Sequence, residues 1–136
     1  MDLSKALDIS ARGMDAQTTR LRVIAENLAN QDTSGTGAKG APYRRKTVTF
    51  ENRLDRNLGI ETVRVKQIGE DKAPLPQRYD PSNPNANAQG YVYYPNVNPV
   101  KEMTDLVSAS RSYEANVTAT TDEKTVDGAI LGVLRA

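Results

Sequence analysis

Leu3 to Asn30 read LSKALDISARGMDAQTTRLRVIAENLAN, and this stretch decides the architecture. It holds no proline and one glycine, Gly13, and is rich in Ala, Leu, Arg, Gln and Glu, all good helix formers. Leu7, Met14, Leu21 and Leu28 recur every seven residues. Leu3, Ser10, Gln17 and Ile24 recur with the same period, offset by four. Written as heptads, one seam position is fully apolar and its partner is half polar. The spacing predicts a helix of about 26 residues, roughly 40 Å long at about 1.5 Å per residue.

A second stretch of the same kind lies at the other end. Asn98-Pro99 reads as a helix start: Asn caps, and Pro suits the first helical position because its missing N–H needs no partner. From Val100 to about Leu134 there is no proline. Met103, Leu106, Ser110, Tyr113, Val117, Thr120 and Lys124 follow a 4-3 spacing. The apolar stripe weakens after Val117 and resumes at Val126, Ile130, Leu131, Val133 and Leu134. Gly128 and Gly132 each weaken that final third by about 1 kcal/mol relative to Ala.

Between the ends the texture changes. Six of the seven prolines and six of the nine glycines fall between residues 31 and 96. QDTSGTGAKGAP (31–42) is too small and polar for a core element. Tyr43–Phe50 and Ile60–Ile68 read as strands, and Tyr91–Tyr94 as a short one. DKAPLPQRYDPSNPNANAQG (71–90) reads as extended or looping. The expected organisation is therefore α+β in one domain: a coiled-coil helix over 1–30, a small β-rich and loop-rich middle segment over 31–96, and a second coiled-coil helix over 97–136. Each helix is amphipathic and neither can bury its stripe alone, so the simplest solution pairs them as an antiparallel coiled coil. Two helices of this length still leave apolar surface, which points to partners: copies of the chain or similar helices. Small residues reinforce this. Ala6, Ala11, Gly13, Ala16, Ala25 and Ala29 stud the first helix, and Ser108, Ala109, Ser110, Ser112, Ala115 and Ala119 the second. They let helix axes approach closely on several sides.

Composition removes much chemistry. There is no Cys and no His, which excludes thiolate and imidazole nucleophiles, disulfides and the usual zinc ligands. The formal charge is +1, so no bulk polyanion partner is implied. No stretch has the roughly 18 apolar residues of a membrane span, and Asp2 and Asp8 stand where a secretory signal would be basic and apolar. The carboxylate pairs Glu70-Asp71 and Asp122-Glu123 read as solvated charges, and Gly35–Gly40 (GTGAKG) lacks the spacing of a phosphate loop. No enzyme, cofactor, metal or small-molecule substrate is expected. The run Arg44-Arg45-Lys46 is the one charged feature with a reading of its own. It suits an edge strand kept soluble by charge, electrostatic docking onto an acidic partner surface, or, as an alternative function, a small basic-patch binding module for nucleic acid or an acidic protein.

Two motifs then carry a resemblance. RLRVIAENLANQDTSG (Arg20–Gly35) resembles the N-terminal signature of the rod and hook family of bacterial flagellar axial proteins, with Ile24, Ala25, Asn27, Leu28, Ala29, Asn30 and Thr33 at its positions. YDPSNPNANAQGYVYYPNVNPVKEM (Tyr79–Met103), followed by SASRSYEANV (Ser108–Val117), resembles the short proximal-rod branch of that family. The stretch Thr33–Pro42 is the least family-like part. The resemblance implies a structural subunit of the flagellar basal-body rod, which crosses the periplasm and transmits motor torque. It implies terminal helices paired in the inner core of a helical tube and a middle segment facing outward. Implied partners are other rod proteins, components at the rod's base, copies of the chain itself, and the flagellar type III export apparatus. The residues expected at the assembly seams are Leu7, Met14, Leu21, Ile24, Asn27, Leu28 and Asn30 on the first helix, and Met103, Leu106, Tyr113, Asn116 and Val117 on the second. Asn30 is suited to the left-handed conformation that ends a helix.

Overall fold

A computed structural model describes residues 2–35 and 40–136; residues 36–39, which hold most of the GTGAKG loop and Lys39, lie outside the described part. The element order is α1 (Leu3–Ala29), β1 (Lys46–Asp55), β2 (Ile60–Glu70), β3 (Gln77–Tyr79), β4 (Tyr91–Tyr93) and α2 (Pro99–Arg135). Two long terminal helices thus flank a middle made of two separate two-stranded sheets, β1 with β2 and β3 with β4. At about 1.5 Å per residue, α1 is roughly 40 Å long and α2 roughly 55 Å.

The ends of these elements follow from local chemistry. Asn98 caps α2: its Oδ1 accepts from Val100 N at 3.1 Å and Lys101 N at 3.4 Å, and its carbonyl accepts from Glu102 N at 3.0 Å. α1 closes differently from the expectation. No described non-glycine residue has a positive φ, so Asn30 is not left-handed. Instead its backbone N–H (3.1 Å) and its side-chain amide (2.9 Å) both donate to Glu26 O, and its Oδ1 accepts from Thr33 Oγ1. A side chain thus does for the last turn what a left-handed residue would otherwise do. β1 and β2 are joined through Asp55-Arg56-Asn57-Leu58-Gly59, too short for a parallel crossover, so the strands run antiparallel. Asp55 Oδ1 accepts from Asn57 N and Leu58 N, and Gly59 (φ +65°) closes the turn onto Asp55 O at 2.8 Å. β3 lies inside the proline-rich stretch read as a loop. It pairs with β4 through Gln77↔Tyr93, Arg78↔Val92 and Tyr79↔Tyr91. Pro74, Pro76 and Pro81 flank those three residues without interrupting them, which is why so short a strand survives there.

The described chain divides into two compact units that cut across the three stretches of sequence. The first comprises Met1–Leu21, Thr49–Gln67 and Val107–Ala136; the second comprises Arg22–Val48 and Ile68–Leu106. The core is thin, as the scarcity of large apolar residues requires. Ala16 and Ala109 are buried in the first unit, and Val23, Ile24 and Val92 in the second. No described helix is long and apolar enough to cross a membrane.

Candidate functional site

In the second unit the chain builds a polar knot around Asn27. Asn27 occupies the last turns of α1 and is 1% exposed. All of its side-chain valences are used. Oδ1 accepts from Lys46 N at 2.8 Å and from the Tyr43 hydroxyl at 2.7 Å. Nδ2 donates to Lys46 O at 2.9 Å and Glu102 Oε2 at 3.3 Å. The side chain therefore imitates a strand neighbour for Lys46 and ties the end of α1 to the start of β1 and the first turn of α2.

Glu102 is the charged centre of the knot, with no exposed surface. Arg45 Nε donates to its Oε1, and Asp71 (3.6 Å) and Asp105 (3.5 Å) stand beside the same guanidinium. Burial works to lower the Arg45 pKa, but the Glu102 hydrogen bond and the surrounding carboxylates outweigh it, and the pKa is raised. The Tyr43 phenol is also raised, by burial first and then by the charges of Glu26, Glu102 and Glu70. Asn96 completes the knot: its Oδ1 accepts from Arg45 N at 2.8 Å, and its Nδ2 donates to Asp71 O at 3.0 Å.

The three cations expected as a docking patch are all engaged here. Arg44 Nη1 donates to the carbonyls of Asp71 and Ala73, each at 3.2 Å. Arg45 is held by Glu102, and Lys46 Nζ meets Glu26 Oε2 at 3.1 Å. Arg45 and Lys46 thus pair with carboxylates of their own chain, and Arg44 with its backbone carbonyls.

In the first unit α1 and α2 meet through small groups. A Cβ placed on Gly13 would stand 2.8 Å from Asn116 Oδ1 and 3.0 Å from its Nδ2, so glycine is what lets the two come together. Asn116 Nδ2 donates to Ser112 O at 3.0 Å, which fixes the amide in that position. The hairpin is attached by Arg12 Nη2 to Asp55 Oδ2 at 2.8 Å.

The other seam residues are placed as follows. Ile24 is buried with Asn27, while Leu7, Met14, Leu21, Leu28 and Asn30 are half-buried. On α2, Leu106, Tyr113 and Asn116 are half-buried, whereas Met103 (57%) and Val117 (40%) face solvent. The tightest burial on α1 falls at Ser10, Gly13, Ala16, Val23, Ile24 and Asn27, and on α2 at Glu102 and Ala109. The most buried positions of the helices are thus mainly small or polar, with Val23 and Ile24 as the branched apolar exceptions. Large apolar side chains of α2 are left bare: Val100, Met103, Val107 and Val117 along the helix, and Val126, Ile130, Leu131, Val133 and Leu134 towards its end. Sequence reasoning missed Glu102 and Arg45 as partners. The available signal was an acid four residues after a helix cap, opposite a run of cations.

A surface of this kind can assemble; no described group of His, Cys, Asp or Glu is arranged to hold a metal. Comparison with known proteins agrees on one family. The family model for flagella basal body rod proteins matches residues 7–39, and the model for the C-terminal region of flagellar basal body rod FlgEFG proteins matches residues 88–133. The chain is 42% identical over 134 residues to the flagellar basal-body rod protein FlgC of Agrobacterium fabrum, covering 98% of this chain and 96% of that one. It is 43% identical over 129 residues to the protein of that name from Bacillus subtilis, covering 84% and 86%. With the Salmonella typhimurium protein the identity is 47% over 119 residues, covering 86% and 87%.

Proposed function

The chain belongs to the flagellar basal-body rod protein family, and from that premise we propose that it is a structural subunit of the rod whose two terminal helices pair as an antiparallel coiled coil. The observation that carries the pairing is a matched step. Gly13 of α1 approaches Asn116 of α2, and Asn27 of α1 bonds Glu102 of α2. From the first contact to the second is fourteen residues forward along α1 and fourteen back along α2, two heptads in opposite directions. The bare apolar side chains of α2 are then the surface that neighbouring subunits cover. Its partners are copies of itself, other rod proteins and components at the rod's base. The middle segment faces outward, and the chain reaches the rod, which spans the periplasm, through the flagellar type III export apparatus. Torque passes along such an assembly because each subunit is gripped on several sides. The basic-patch alternative lacks a surface, since Arg44, Arg45 and Lys46 are engaged within the chain.

Complementation of a strain lacking the chain tests the seam. Leu28→Asp and Tyr113→Asp each place a carboxylate on a half-buried helix position. Both variants are expected to leave cells non-motile, with basal bodies that stop short of a rod. Normal swimming in both would remove the paired helices from the mechanism.

A further inference from the structure

The β1–β2 hairpin carries a second surface that the knot and the helix seam do not use. A concavity of about 880 Å³ in the first unit is lined by Arg12, Arg53, Leu54, Asp55, Arg56 and Arg64 among others. Two of these four arginines are compensated: Arg12 by Asp55, and Arg64 by Glu51. Arg53 and Arg56 are exposed and form no ion pair with a described residue. Four guanidinium groups around one hollow repel one another, and the hollow attracts carboxylates, which guanidinium can grip with two parallel hydrogen bonds. Leu54, 55% exposed in the same wall, adds an apolar contact.

The far end of α2 offers the complement. Asp122 and Asp127 are exposed there and form no ion pair with a described residue. Val126, one turn beyond Asp122 on the same side, is 52% exposed, and the helix continues bare to Leu134. An acid followed by an apolar side chain matches a hollow of arginines with a leucine in its wall.

We infer that the arginine-lined hollow of one copy receives the Asp122–Asp127 turn of α2 from a second copy. The two patches differ and each copy carries both, so the contact is head-to-tail and leaves a free end at each side. Contacts of that class extend into rings or open helical arrays rather than closed pairs. The inference rests on the rod reading and specifies one of its subunit contacts.

The chain has no cysteine, so an engineered pair reports the contact cleanly. Asn57→Cys in the hollow and Thr125→Cys on α2 are introduced together, and basal bodies from complemented cells are oxidised mildly. A disulfide-linked dimer that needs both cysteines is expected. Adding R53E with R56E should reduce that dimer about tenfold or more, as should adding D122R with D127R, and combining all four reversals should restore it. Circular dichroism of each purified variant identifies any that fail to fold, for which R53Q with R56Q replaces the reversal. Monomer alone in basal bodies that contain the chain overturns the inference. So does a dimer insensitive to charge reversal, or one sensitive to the arginines but not to Asp122 and Asp127, which would assign the hollow to a different acidic partner. Absence of the wild-type chain from basal bodies overturns the rod reading instead.

Discussion

The two units of the chain handle charge in opposite ways. In the second, a carboxylate with no exposed surface is matched by a guanidinium and by an amide, and a hydroxyl donates to that amide in turn. In the first, Arg53, Arg56, Asp122 and Asp127 stand exposed with no ion pair to a described residue, and the end of α2 is bare on all sides. The difference separates what the chain finishes by itself from what it leaves for others. Buried charge must be satisfied internally because an uncompensated ion costs several kcal/mol. Exposed charge and apolar surface persist at little cost until a neighbour covers them.

Breaking the finished side should have the largest effect on the chain itself. Glu102→Ala leaves Arg45 and the Asn27 amide without their buried acceptor and is expected to cost about 3–5 kcal/mol. Loss of hydrogen-exchange protection at the Lys46 amide, which donates to Asn27, would register it. Next comes the close approach. Gly13→Leu drives atoms into Asn116 and should cost roughly 1–3 kcal/mol, read by urea denaturation. A smaller loss, about 1 kcal/mol, is expected for Tyr43→Phe, which removes the 2.7 Å bond to Asn27. The same variant has a pH signature. The phenol's folded pKa lies above its usual value near 10, so the folded state keeps the proton after the unfolded state has lost it. That stabilisation is intact below the usual value and disappears as pH rises through the raised one. The stability difference between the wild type and Tyr43→Phe, read by denaturation, should therefore be present at pH 8 and shrink above pH about 10. On the unfinished side, Ile130→Asp should change monomer stability by less than about 0.5 kcal/mol yet abolish incorporation into rods, scored by immunoblot of basal bodies.

Much of the skeleton was legible in the chain because local chemistry wrote it. The proline-free ends became α1 and α2, and Asn98-Pro99 caps α2 where its residue types say it should. The face on which α1 packs was harder to read. Pattern reading ranks positions by hydrophobicity and selects Leu7, Met14, Leu21 and Leu28, which are half-buried. The closest contact favours Ser10, Gly13 and Ala16, because small side chains let backbones approach, and no hydrophobicity ranking rewards that. Asn27 was visible as a seam position, but its bonds to the Lys46 backbone, nineteen residues on, were not. Arg45 and Glu102 are separated by 57 positions, and only the fold brings them together. β3 was hidden by the prolines around it, and the arginine hollow by its assembly from α1 and both strands of the hairpin.

The Asn27 amide also has a chemical vulnerability that its burial guards against. Hydrolysis of that amide would add water, release ammonia and leave a hydroxyl where the NH2 group stood. The new acid would turn lone pairs towards Lys46 O and Glu102 Oε2, where two donors stood. In an assembly whose subunits do not exchange, such a lesion would persist. Its seclusion from water, at 1% exposure, is therefore a form of preservation as well as a source of rigidity.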